Sequence, residues 1–278
     1  MNGPQVQRLG DGRLHLNHGP IDLICQGWGE PDAVSLCYDR AVRRFEGLLA
    51  ELVAELPALR SEHAPLDGPI ARKMARAVAP FRPAFITPMA AVAGAVAEAV
   101  LGVMVAPGIS RAYVNNGGDI AFHLEPGASL SCAIATATGM ADRIIIRHAD
   151  PVRGIATSGW RGRSWSLGIA DSVTILARTA SMADAAATVI ANAVNLPGHP
   201  AITRRAACLC QADSDLGDRL VTVAVGPLSF ADVRRALDRG EAAADRFRAL
   251  GLIEACAIFL HPETRAVGAF ALKEPAVA

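Results

Sequence analysis

Aromatic residues are scarce in this chain, at 5% of 278 residues with two Tyr and three Trp. Net charge is missing too, because Lys plus Arg and Asp plus Glu both number 27. A base-stacking or strongly basic surface needs more of both, so no nucleic-acid partner and no attraction to an anionic membrane are expected. Long uninterrupted apolar runs are also absent. The longest, 85–107, contains Pro88, Glu98 and several glycines, and reads as a buried helix, whereas a span needs about 20 unbroken apolar residues. Met1-Asn2-Gly3-Pro4-Gln5 has no basic stretch ahead of an apolar core, so no signal peptide is expected and the reading is a cytoplasmic protein.

Ligand spacing is missing from the seven His and six Cys residues. Cys25, Cys37, Cys132, Cys208, Cys210 and Cys256 are scattered, and reduced, buried thiols are expected. Cys208-Leu209-Cys210 leaves one residue between thiols, where zinc pairs usually leave two or more. What is present is a large apolar fraction, 51% hydrophobic against 19% charged. That composition excludes disorder and supplies a sizeable core.

Alternation over 12–28 with a break at His18-Gly19-Pro20 predicts a hairpin. Glu30-Pro31-Asp32 opens a long helix through about Arg60, and a shorter helix follows over 69–79. Thr87-Pro88 is a helix start, since Thr can cap and Pro suits the first turn. Ala90, Ala93, Gly94 and Ala97 give that helix a small-residue face. Strands are predicted at 111–115, 120–124, 130–137, 142–147, 163–168, 172–178, 221–225, 253–260 and 265–271. Helices are predicted over 181–195 and from Ser229 to about Leu250. Strands come in hairpins with helices between the groups, which favours α+β with antiparallel sheets. One compact domain over 1–278 is expected, with two similar α+β halves fitting the order of elements.

Three segments hold residue types suited to chemistry. Asn115-Asn116-Gly117-Gly118-Asp119 combines glycines that free backbone amides with side-chain donors and acceptors, although Asn-Gly is also the ordinary hairpin turn. Gly154-Ile155-Ala156-Thr157-Ser158-Gly159 offers hydroxyls and a bare amide, or is simply a loop. It is neither a Walker phosphate loop nor a Gly-x-Ser-x-Gly elbow. Asp184 and Thr188 lie four apart on one helix face, with Asn192 continuing it, and suit a hard cation such as Mg²⁺. Placing Asp184 in a first helical turn explains it equally well. Asp142 with Arg143, and Trp160-Arg161-Gly162-Arg163, are candidate anion contacts. Asp213-Ser214-Asp215-Leu216-Gly217-Asp218 reads as a turn.

The three segments occur together, in this order, in the UPF0280 proteins, which this chain resembles over nearly its whole length. UPF0280 proteins are relatives of the ApbE flavin transferases. The resemblance also covers His18-Gly19-Pro20-Ile21-Asp22-Leu23 and Pro88-Met89-Ala90-Ala91-Val92-Ala93-Gly94. It implies a duplicated antiparallel α+β architecture of the T-fold type. It also implies contacts to FAD or a related nucleotide from Asn116, Gly117, Gly118, Asp119, Thr157, Ser158 and Gly159, and Mg²⁺ ligands from Asp184 and Thr188.

ApbE proteins transfer FMN from FAD to a Thr. They carry a Lys-Gly-x-x-x-Asp run where this chain has Ala93-Gly94-Ala95-Val96-Ala97-Glu98. They also carry a His-Ile-Ile-Asp-Pro segment where it has Ser164-Trp165-Ser166-Leu167-Gly168-Ile169-Ala170-Asp171. With that His segment missing, two expectations stand: an ApbE-related cofactor-pathway enzyme with a transferase-like site, or a non-catalytic flavin- or pterin-binding protein. Both take a small-molecule ligand, and a homo-oligomer is compatible with either. The sequence leaves the catalytic residues unassigned.

Overall fold

A computed structural model describes residues 3–134, 142–269 and 272–273. The strands β1 (Gln5–Arg8), β2 (Leu14–His18) and β3 (Ile21–Gly29) form an antiparallel meander. Leu14, Leu16, Ile21, Leu23 and Cys25 point inward at every second position, which fixes the register of the expected hairpin.

The predicted long helix arrives in three pieces, α1 (Pro31–Glu46), α2 (Leu48–Ala54) and α3 (Leu56–Leu59). Gly47 marks the first break, and Pro57, which lacks an N–H and crowds the carbonyl four residues back, marks the second. α4 (Pro69–Val78) follows as expected, then a single 3₁₀ turn over Pro88–Ala91 leads into α5 (Val92–Met104). Thr87 makes no side-chain cap there. Its hydroxyl instead bonds the Asp215 carboxylate in the acidic turn.

The remaining elements are β4 (Ile109–Asn116), β5 (Asp119–Leu124), β6 (Ser129–Ile134), β7 (Asp142–Arg147), β8 (Gly154–Ser158), β9 (Ser172–Ala177), α6 (Ala180–Ala193), β10 (Ile202–Ala206), α7 (Ala207–Cys210), β11 (Leu220–Val225), α8 (Phe230–Ala249), β12 (Ala255–Leu260), β13 (Glu263–Val267) and β14 (Leu272–Lys273). Among the described residues, nine strands form one sheet in the order β1-β2-β3-β4-β5-β8-β9-β12-β13, with every neighbouring pair antiparallel. With α2 to α4 and the 3₁₀ turns set aside in the first half, and β10, α7 and β11 in the second, the order ββααββ occurs twice, as β2-β3-α1-α5-β4-β5 and as β8-β9-α6-α8-β12-β13. The fold is therefore α+β, with antiparallel sheets packed against helices. The ends of two predicted strands, 135–137 and 270–271, lie outside the described residues, as do the side chains of Asp142 and Arg143.

Two expectations are corrected between Gly154 and Ala177. The stretch Gly154–Ser158 is a strand, not a loop, and 163–168 holds no strand. Gly154, Ile155 and Ala156 are buried in succession, so β8 shows no alternation to read. The 163–168 stretch alternates in polarity, yet it is held by a side chain: Asn192 Oδ1 accepts from Leu167 N at 2.9 Å and from Ser166 Oγ at 3.2 Å.

α5 and α6 meet through small residues at the centre of the molecule. Gly94 on α5 and Gly154 on β8 both abut Ala180, the first residue of α6. Close packing of backbones substitutes for bulky side chains here, in line with the alanine-rich composition. At the far end, Ser229 caps α8 by accepting from Asp232 N at 3.2 Å, as its sequence signature predicts. Phe81 and Phe247 pack edge to face at 4.8 Å and pin α8 to the segment after α4.

Candidate functional site

The turn Asn116-Gly117-Gly118-Asp119 joins β4 to β5, with Asn116 paired to Asp119. Gly117 and Gly118 take φ of 63° and 115°, which side-chain-bearing residues adopt at a cost. The Gly118 N–H is already used, donating to Asn115 Oδ1 at 2.8 Å. Asn116 is buried, and its Nδ2 donates to Ala93 O at 3.2 Å. The amide oxygen remains as an acceptor.

Asp119 is buried and accepts from Thr157 N at 3.1 Å, so it ties the turn to β8, three strands on in sequence. Asp184 reaches from α6 to the start of α5, where Gly94 N donates to its Oδ2 at 3.0 Å. The two carboxyls act on each other's charge from neighbouring elements. Burial pushes Asp119 up to about 7, opposed by the Thr157 N–H, by Asp184 and by the Arg163 guanidinium. Burial also pushes Asp184 well above the ordinary carboxylate range, and the neighbouring charge of Asp119 pushes it further. Two acids that act on each other in a poorly hydrated place either share a proton or take up a cation.

Thr157 is exposed, and its hydroxyl pairs with that of Thr174 at 2.9 Å. Ser158 is half-buried opposite Val173. Gly159 is needed for packing: a Cβ there would lie 2.4 Å from Asp171 O. Thr188 is half-buried one turn beyond Asp184 on α6. The structure thus brings Asn116, Asp119, Thr157 and Asp184 together. Sequence spacing missed the pairing of Asp119 with Asp184 across 65 residues, because only the packing of α6 against α5 and β8 creates it.

The donors are hard oxygens: two carboxylates, an amide oxygen and the Thr188 hydroxyl on the same helix as Asp184. Among the described residues, no group of three or more His, Cys, Asp or Glu gathers as a metal cage. Magnesium commonly uses one or two carboxylates and completes its shell with water and ligand phosphates, so two carboxylates fit it better than they fit calcium.

The Gly94-x-x-x-Glu98 spacing has a structural purpose. Gly94 admits Ala180, while Glu98 Oε1 accepts from Ser181 N at 2.7 Å and its Oε2 pairs with Lys73 Nζ at 2.6 Å. Thr179 caps Met182 N beside it. The start of α6, and with it Asp184, is set by these bonds. Replacing Glu98 by Ala removes charge-assisted bonds from a side chain only 13% exposed and is expected to cost about 2 kcal/mol, read by chemical denaturation.

No helix among the described residues is long and apolar enough to cross a membrane. Cys25, Cys37, Cys132 and Cys256 are buried free thiols, and Cys208 and Cys210 are half-buried ones.

A sequence model of the family described as AbpE bacteria matches residues 6–269. A UPF0280 protein of Methanopyrus kandleri is 35% identical over 192 residues, covering 67% of this chain and 75% of its own length. UPF0280 proteins of Methanococcoides burtonii and Methanothermobacter thermautotrophicus are 36% and 39% identical over 42% and 47% of this chain. Those two alignments span about half of the relatives' own length, 49% and 51%. Among solved structures, the apo flavinyl transferase ApbE of Pseudomonas stutzeri aligns over 96% of this chain and 95% of its own, at 12% identity and a TM-score of 0.48. The flavin transferase ApbE of Vibrio cholerae covers 87% and 76% at 14% identity, with a TM-score of 0.35.

Proposed function

The chain belongs to the AbpE bacteria family, and the UPF0280 proteins within that relationship are its relatives; on that premise we propose that it binds the phosphates of a flavin or related nucleotide through a magnesium ion held by Asp119, Asp184 and Thr188. One observation carries this reading: the buried Asp119 and the half-buried Asp184 act on each other's charge. A pair kept only for stability would be replaced at little cost by apolar side chains, whereas a pair facing an exposed edge at Thr157 is poised to take a cation. When bound, the ion supplies positive charge to phosphate oxygens. Asn116 to Asp119 and Thr157 to Gly159 would then line the nucleotide, with Thr157 the exposed member.

A second reading, retention of a flavin or pterin without turnover, draws on the histidines. The segment between β8 and β9 carries none, and His199 sits 3.4 Å from Asp232, away from the carboxylate pair. Measuring AMP released from FAD in the presence of Mg²⁺ separates the two readings, since only the enzyme produces it.

The cation test uses thermal melting of the full chain with Mg²⁺ or Mn²⁺, with and without FAD. A ligand at 100 times its Kd adds about 2.7 kcal/mol to stability and raises the melting point measurably. Asp184→Asn should abolish the cation-dependent part of that rise. A wild-type melting point unmoved by either cation, alone or with FAD, defeats the proposal.

A further inference from the structure

The segment 159–171 between β8 and β9 is anchored on both sides of an exposed tip. On one side Trp160 N donates to Ala170 O at 3.0 Å, and Trp160 Nε1 and Arg161 Nε reach Asp171 Oδ1 at 3.1 and 2.5 Å. On the other, Leu167 is fixed to Asn192, and Gly168 lies so close to α6 that a Cβ would meet Ala191 O at 1.9 Å. Residues 161–165 between these anchors are exposed. Arg161 is committed to Asp171, but Arg163 has no carboxylate within ion-pair distance among the described residues.

Arg163 lies across Gly117. A Cβ on Gly117 would meet its Nη2 at 2.2 Å and its Cζ at 3.0 Å, so the bare turn is what lets the guanidinium settle there. From that position its charge acts on Asp119. A divalent cation on Asp119 would repel a guanidinium seated over Gly117, and the exposed tip gives Arg163 somewhere to go.

We propose that Arg163 is an exchangeable counter-charge, resting over Gly117 beside Asp119 until a divalent cation and a phosphate-bearing ligand arrive, and then transferring its guanidinium to the phosphate. The inference rests on the cation reading above and adds a residue that selects for phosphate. A planar fork of N–H donors matches phosphate oxygens, and the short tip needs only side-chain rotation to present it. No bond is made or broken in the exchange.

The experiment measures binding of Mn²⁺ alone, and of pyrophosphate at saturating Mn²⁺, to the full chain and to its Arg163→Gln, Arg163→Lys and Asp184→Asn variants. Removing the competing charge should tighten Mn²⁺ about tenfold in Arg163→Gln while weakening pyrophosphate about tenfold, the size of one charged hydrogen bond. Arg163→Lys should keep the wild-type Mn²⁺ affinity because it keeps the charge. These opposite signs are not produced by a merely loosened fold. Unchanged or weaker Mn²⁺ binding in Arg163→Gln overturns the counter-charge role; if Asp184→Asn still abolishes Mn²⁺ binding, the cation site itself stands. Absence of Mn²⁺ binding by the wild type overturns both.

Discussion

Metal-free protein is expected to lose stability as pH rises from about 4 to about 7, and Asp119→Asn to remove most of that slope. Asp119 is held at about 7 in the fold against an ordinary value of 3.8. Within this window the folded chain keeps a proton that the unfolded chain has released. The stabilisation is therefore complete below about 4 and is lost as pH passes through about 7. At roughly 1.4 kcal/mol per pH unit, the loss across the window comes to at most about 4 kcal/mol. Asp184 shifts in the same direction and steepens the fall.

Asn at position 119 carries no charge at any pH, so the variant should melt higher than the wild type at pH 8 without cations. Saturating Mg²⁺ should reverse that ranking, because the cation compensates the ionised pair only in the wild type. Melting curves from pH 4 to 8, with chelator and then with Mg²⁺, measure both effects. A flat wild-type profile in chelator would mean that the pair is better hydrated than the structure indicates.

Gly154→Ala and Gly94→Ala form the second large effect. Gly94 lies in α5, where local propensity alone favours Ala by about 1 kcal/mol. The packing reverses that sign. A Cβ at Gly94 would lie 2.3 Å from Ala180 O, and one at Gly154 would lie 2.2 Å from Ala180 N. Both contacts are to backbone, so α6 has to shift as a unit. We expect each substitution to cost about 3 kcal/mol or more, at the upper end for overpacking, which lowers the melting point by roughly 6 °C or more. Cation affinity should fall as well, since Asp184 rides on α6 and reaches Gly94 N at 3.0 Å. Denaturant titration together with Mn²⁺ binding checks both parts. A stabilised Gly94→Ala would show that helix propensity outweighs the close approach of α5 to α6.

Much of the fold was legible because its signals are local. Alternation placed β2 and β3, turn chemistry placed the β4–β5 hairpin, and Ser229 marked the start of α8. Three features were not. β8 is buried along Gly154, Ile155 and Ala156, so it lacks the alternation that marks a half-exposed strand. The long first helix broke at Gly47 and Pro57, where its apolar period continues and hides the interruption. Thr87 has the chemistry of a cap but gives its hydroxyl to Asp215, a partner 128 residues away.

For the candidate site, the amino-acid sequence by itself determined the inventory. Asn116, Gly117, Gly118, Asp119, Thr157 and Asp184 were all visible as groups suited to a ligand, and their joint order pointed to the family. It did not determine which of them act on each other. Asp119 reads as a nucleotide contact and Asp184 as a metal ligand, and the fold adds an interaction between the two carboxyls. Only the tertiary structure decided that pairing, and the resting place of Arg163 over Gly117 with it. The physical reason is the close approach of α6 to α5 and β8 at Gly94 and Gly154. It sets the half-buried Asp184 beside the buried Asp119, an effect of tertiary packing that no local residue pattern encodes.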